Sequence, residues 1–229
     1  AAWDRIQSAC RGTMARTQSP HHPSTVGEEI ANAVTHGIGA VLSVVGLVLL
    51  IVRAEQTGDP WRLLSFTIFG ITMVMLYVTS TLYHSLAHTR AREVFKVLDH
   101  SLIYVLIAGT YTPFALINLR GPWGWSLFGV LWGLAIAGIL FKLVFAGHFH
   151  RASTVLYLAM GWMGVIAAKP LLAEVPTGAL GWLLGGGVAY SLGTAFYMRR
   201  SLKYHHAVWH LFVLAGTACH FVAVYGHLS

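Results

Sequence analysis

Charge is what this sequence has least of. Only 10% of its 229 residues are charged and 56% are hydrophobic, whereas a soluble domain carries roughly 25% charged residues. A chain of this length cannot bury that much apolar surface in a water-facing globule, which excludes an ordinary soluble enzyme and makes lipid the simpler solvent. Cysteine is nearly absent. Cys10 lies in a polar stretch and Cys219 in an apolar one, so there is no disulfide framework and no cysteine metal site. Long basic runs are missing too, so the formal charge of +7 is read as a membrane-topology signal rather than a nucleic-acid footprint. Residues 1–25 hold no apolar core of a secretory leader and are expected to form a loose, polar cytoplasmic tail. Residues 26–229 are expected to form one membrane domain, with no internal repeat and no soluble module.

Apolar stretches and histidine are abundant. A spanning helix needs roughly 20 mostly apolar residues, and seven candidates run over 31–52, 63–84, 98–118, 123–145, 153–172, 179–198 and 206–226. The expected fold is therefore all-α, a polytopic bundle of seven transmembrane helices. The weak boundaries are the short turn at Arg120-Gly121-Pro122 and the Lys169-Pro170 pair, which leave a six-helix alternative open. Arg5, Arg11, Arg16, Arg90, Arg92, Lys96, Arg151, Arg199, Arg200 and Lys203 fall on one side of this topology. Arg53, Arg62, Arg120 and Lys169 fall on the other. The bias places the N-terminus in the cytoplasm and, with an odd helix count, the C-terminus outside. Trp61, Trp123, Trp125 and Trp182 sit near the outer ends as an aromatic belt. Gly185-Gly186-Gly187 and Gly193 in the sixth span predict close helix packing.

Thirteen histidines against eight carboxylates is an unusual ratio, and several of them fall inside or at the ends of apolar spans, where polar groups are costly. On the expected topology His84 ends the second span, Asp99 opens the third, and His206 and His210 open the seventh, all at one depth on the cytoplasmic side. His206 and His210 are four residues apart and share a helix face. Two such histidines with a third from another helix can hold a zinc ion and leave one tetrahedral position for water. His84 is the natural third ligand, with His88 as an alternative one turn on. Ser80 lies one turn before His84. Asp99 could act as a general base, or simply cap its helix or pair with Lys96. The bland reading of the histidine pair is interfacial polarity at a helix end. His220, about 15 Å beyond His210 along the same helix, reads as a helix–helix hydrogen-bonding residue. Glu29, Asn32 and His36, flanked by Thr35, line one face of the first span. They read as a structural strip bracing the bundle or the site rather than as ligands.

In order along the chain, Glu29-x-x-Asn32-x-x-Thr35-His36, Ser80-Thr81-Leu82-Tyr83-His84, Leu98-Asp99-His100-Ser101, Gly109-Thr110-Tyr111-Thr112-Pro113 and His206-Ala207-Val208-Trp209-His210 resemble motifs of the haemolysin III family. That family is the bacterial branch of the progestin and adipoQ receptor superfamily. The resemblance covers residue 26 to the end and implies seven helices with a cytoplasmic N-terminus. It also implies zinc as cofactor on His84, His206 and His210, with Asp99 and Ser80 beside the metal's water. Some members of the superfamily are receptors and some resemble ceramidases; bacterial members carry a haemolysin name and are linked to membrane-lipid homeostasis. The functional expectation is a zinc-dependent hydrolase of a lipid amide or ester in the plasma (inner) membrane, with membrane lipids as partners and no nucleic acid. The alternatives are a non-catalytic sensor of membrane state with structural zinc, and a cytolytic pore, which would require a continuous polar lining. The sequence leaves the oligomeric state open.

Overall fold

The computed structural model describes residues 24–144, 150–199 and 201–228; the expected tail over 1–25 therefore lies almost wholly outside the described residues. Those residues form helices and no strand. In chain order the helices are α1 Val26–Glu55, α2 Pro60–Ser85, α3 Arg92–Pro113 and α4 Pro122–Val144, then α5 His150–Gly161, α6 Ala168–Glu174, α7 Thr177–Met198 and α8 His205–His227. Six of them are long and apolar enough to cross a membrane: α1, α2, α3 with its extension to Asn118, α4, α7 and α8. The chain is a multi-pass membrane protein.

The expected fifth span over 153–172 is not one straight helix. Its two halves meet at a bend of 54°, with a 3-10 turn at Met163–Val165 between α5 and α6. Pro170 supplies the physical reason. In a continuous helix it would leave the Ile166 carbonyl without a donor and press its ring on that carbonyl. The helix instead stops after Gly161 and restarts at Ala168, so that Pro170 falls in a first turn, where a missing N–H costs nothing. Counting the bent pair as one crossing gives seven.

Local chemistry fixes the other helix ends. Thr25 caps α1 through a reciprocal box with Glu28. Gly58, at φ 66°, turns the chain after α1, and Asp59 then caps α2 by accepting from the Trp61 N–H with Pro60 at the first helical position. Tyr204, at φ 58°, starts α8, and its N–H donates to Glu28 Oε1 at 3.1 Å. The first turn of α8 is thereby pinned to the first turn of α1.

The buried residues of α1 are Glu29, Asn32, His36, Gly39, Ser43, Gly46, Leu50 and Ala54. Their steps alternate between three and four residues almost throughout, which is the seam of a helix packed at a shallow angle. Val34, Val41, Val45, Val48 and Val52 on the other side are exposed, as a lipid-facing surface requires. A side chain at Gly39 would collide with the Tyr77 ring at 2.6 Å, so only glycine lets α1 and α2 approach this closely. Helix α1 packs on α2 and α8, α2 on α3, α3 on α4, and α7 on α8; the bent fifth crossing touches its neighbours sparsely.

Candidate metal centre

Two of these helix ends carry three histidines to one place. His84 closes α2, and His206 and His210 occupy the first turns of α8. One ligand nitrogen from each lies within 4.8 Å of the other two. The ring centroids are 5.0 Å apart for His84 and His206, 5.1 Å for His84 and His210, and 4.5 Å for His206 and His210. Nitrogens sharing one tetrahedral zinc lie about 3.3 Å apart, given zinc–nitrogen bonds of about 2 Å, so small side-chain rotations close the set. His88 is exposed in the turn after α2 and does not belong to this group.

In His84 and His210 the outward-facing nitrogen is already committed, which leaves the inward one free. His84 Nδ1 lies 2.7 Å from Glu29 Oε2. His210 Nδ1 lies 3.2 Å from both the Asn32 carbonyl and Thr35 Oγ1. A carboxylate and a carbonyl only accept, so in both rings Nδ1 carries the proton and the lone pair sits on Nε2. His84 Nε2 and His206 Nε2 are buried with no hydrogen-bond partner. Such orphaned buried nitrogens are costly, and a divalent cation between them would satisfy both. On the donor set, its burial and its orphaned nitrogens, the residues fit a zinc ion.

The strip on α1 meets the histidine group directly. Glu29 uses Oε2 for His84 and Oε1 for Arg92, which opens α3, and for Ser24. One carboxylate thus ties three helices together and orients a candidate ligand, the arrangement by which outer partners fix metal-binding histidines. Arg92 was legible only as a topological charge; no spacing rule links it to Glu29. His36 stacks on His210 at 3.4 Å and 10°. Its Nδ1 lies 2.7 Å from Ser80 Oγ and its Nε2 is buried without a partner. Ser80 is fully buried and reaches the site through His36. Asp99, 7% exposed, does not pair with Lys96, whose carboxylate partner is Glu93 at 3.6 Å. His100 Nδ1 instead lies 3.8 Å from Asp99 Oδ2.

Asp99, His36, His206 and His210 line one end of a cavity of about 350 Å³. The cavity runs between α3, the bent fifth crossing, α7 and α8, past Leu106, Ile107 and Leu183, to His220. Its wall is overwhelmingly apolar. Val165, Leu172 and Leu184 belong to that wall and are also exposed, so the cavity opens sideways between the fifth crossing and α7, where lipid would lie.

Comparison with known proteins adds the ancestry. The family described as haemolysin-III related matches residues 24–221. The chain is 50% identical over 199 residues to Hemolysin-3 of Bacillus cereus, covering 87% of this chain and 91% of that protein. It is 50% identical over 200 residues to the Hemolysin-3 homolog of Bacillus subtilis (strain 168), covering 87% and 94%. It is 28% identical over 210 residues to the human monocyte to macrophage differentiation factor, covering 89% and 86%.

Proposed function

We propose, from the premise that this chain belongs to the haemolysin-III related family, that it is a zinc-dependent hydrolase of a lipid amide or ester, acting in the plasma membrane on membrane lipids. The observation that carries the reading is the union of two features. A histidine set suited to zinc and a buried carboxylate share one end of a long apolar cavity that opens to the lipid side. His84, His206 and His210 would hold the ion. When bound, zinc supplies a Lewis acid that polarises a carbonyl oxygen and acidifies water.

The rest of the chemistry belongs to the chain's own residues. The acyl tail lies along Leu106, Ile107 and Leu183, which excludes water from all but the polar end. Asp99 takes a proton from the attacking water on one carboxylate oxygen and returns it to the leaving amine or alcohol. Glu29 and the Asn32 carbonyl keep the imidazoles of His84 and His210 protonated at Nδ1, so that Nε2 faces the site. Ser80 holds His36 against His210. The distribution of loop charges supports a cytoplasmic N-terminus, which puts this chemistry beneath the inner leaflet.

A second reading has its own observation. Through His84, His206, His210, Glu29 and Arg92 the centre engages α1, α2, α3 and α8, and a bound ion could clamp four helices in a non-catalytic sensor of membrane state. A cytolytic pore is disfavoured because the cavity wall is apolar beyond its polar end.

Purified protein in lipid nanodiscs decides between the first two. The hydrolase reading expects about one zinc per chain and release of fatty acid from a panel of acyl amides and esters, both lost in H210A. One zinc per chain with no turnover of any member of the panel, and a bundle that unfolds when the metal is stripped, would leave the clamp standing and remove the hydrolase.

A further inference from the structure

A cation stands inside the bundle, away from the metal centre. Lys142 occupies the last turn of α4. The buried residues of that helix are Gly124, Leu127, Leu131, Ala135, Gly138 and Lys142, so the lysine ends a seam that is otherwise small and apolar. Gly138, one turn earlier, lies on the Tyr104 ring of α3, which a Cβ would approach to 2.6 Å. The Tyr157 ring of α5 has its centroid 6.0 Å from the lysine amine. Leu140, Leu143 and Val144 on the same turns are exposed to lipid. Lys142 therefore points between α3, α4 and α5. A lysine at the end of a span ordinarily snorkels to water, with its stem on apolar surface. This one is only 6% exposed. Its amine is nevertheless surrounded by much less protein than the imidazoles of His206 and His210. The stem is packed and the charged head lies near the edge of the bundle.

Among the described residues no carboxylate pairs with it. Glu28 engages Thr25 and Tyr204, Glu29 engages His84 and Arg92, Glu93 meets Lys96 and Asp99 meets His100. Glu55, Asp59 and Glu174 stand at the opposite ends of the spans. The Tyr157 ring and the C-terminal dipole of α4 each offset only part of the cost of desolvating an ammonium. A buried charge of this kind calls for an anion, and none comes from the described chain. Depth identifies the source. Lys142 ends α4 on the side that the loop charges assign to the cytoplasm, where Arg151 opens α5. The anions abundant at that level of a bilayer are phospholipid phosphates, and basic clefts between spans on the cytoplasmic side hold anionic headgroups. Helices α4 and α5 touch sparsely, and Val155 and Leu156 of α5 are exposed. A headgroup can sit in that seam with its acyl chains along the lipid face.

We propose that Lys142 binds the phosphate of an anionic phospholipid from the cytoplasmic leaflet, held in the seam between α4 and α5. The site is separate from the histidine group and does not depend on the hydrolase reading. Tyr157 stands between the two. Its hydroxyl donates to the His100 carbonyl at 2.8 Å, and it also lines the cavity, so one aromatic ring separates the bound headgroup from the cavity's polar end.

The test compares native protein with K142M in nanodiscs of phosphatidylcholine, with and without phosphatidylglycerol. Retained lipid is counted by native mass spectrometry, and stability is followed by thermal melts. Native protein should retain phosphatidylglycerol at least about fivefold better than phosphatidylcholine, the worth of one lysine beside anionic lipid. K142M should lose that preference. In phosphatidylcholine alone it should melt no lower than native, because an apolar stem of similar length replaces an unpaired buried charge. Equal retention of the two lipids by native protein overturns the proposal. So does a preference that survives in K142M, which would belong to exposed arginines such as Arg151. A K142M that melts below native by the same amount in both lipids marks a purely structural lysine and overturns it as well. Stabilisation of native protein by inorganic phosphate, with no retention of phosphatidylglycerol, would replace the lipid by a free anion. If K142M does not accumulate, K142Q takes its place in every comparison.

Discussion

Replacing Glu29 by Gln should weaken zinc binding by roughly 10- to 100-fold, the usual cost of losing an outer partner of a metal-binding histidine. The carboxylate serves two helices at once, accepting from His84 on Oε2 and from Arg92 on Oε1. An amide has one acceptor oxygen and cannot do both. If the oxygen turns to His84, the NH2 group faces the Arg92 guanidinium, donor against donor. If it turns to Arg92, the NH2 group faces the His84 Nδ1–H, and the ring must change tautomer or rotate away. The expected loss corresponds to about 1.4–2.8 kcal/mol of metal affinity at 1.4 kcal/mol per decade. The assay is competition with a chromogenic chelator on detergent-solubilised protein at neutral pH, with zinc content read by mass spectrometry. Arg92→Met is the control: it leaves the carboxylate in place for His84 and should cost less than E29Q. Zinc affinity in E29Q within about twofold of native, alongside loss of zinc in H84A, would refute the idea that Glu29 orients the ligand.

Asp99→Asn should keep zinc and lose turnover by roughly 10²- to 10⁴-fold, the range for a general base; loss of zinc along with activity would mark Asp99 as a ligand instead. Gly186→Val should destabilise the bundle by about 1–3 kcal/mol, because its Cβ would run into the His220 ring and meet the Gly216 carbonyl at 3.0 Å. A thermal melt of that variant unchanged from native would show that α7 and α8 can separate freely. Tyr77→Phe removes the hydroxyl bonded to Thr217 and should cost about 0.5–1.5 kcal/mol, as interhelical hydrogen bonds in membranes do. Thr217 keeps Tyr190 as a partner, so a loss above about 3 kcal/mol in reversible unfolding would contradict that assignment.

The convergence of the three histidines was legible because two rules constrain them jointly. Helical spacing put His206 above His210, and loop charge put the end of the second span level with the start of the seventh. The face shared by Glu29, Asn32 and His36 was legible for the same periodic reason, and the structure extends it along the whole of α1. The Glu29–Arg92 contact was not, since it depends on how far α3 leans towards α1, and no local pattern encodes that. Ser80 illustrates the same limit. Its position one turn before His84 indicated the correct helix end, but the actual partner, His36, lies 44 positions away on α1. The bend in the fifth crossing was half legible. Lys169-Pro170 marked a weak boundary, yet a proline disrupts the carbonyl four residues before it, so the break appears upstream of the residue that causes it.

The joint between Glu28 and Tyr204 ties the start of α1 to the start of α8, far apart along the chain. Helix α1 must enter the bilayer with a carboxylate and an imidazole on its inner face. Both find partners on α2, the next segment made, as Glu29 meets His84 and His36 meets Ser80. The Asn32 carbonyl and Thr35 wait for His210, 178 and 175 positions downstream. The α1–α2 hairpin can therefore settle without metal, but the three imidazoles converge only once α8 has been inserted beside it.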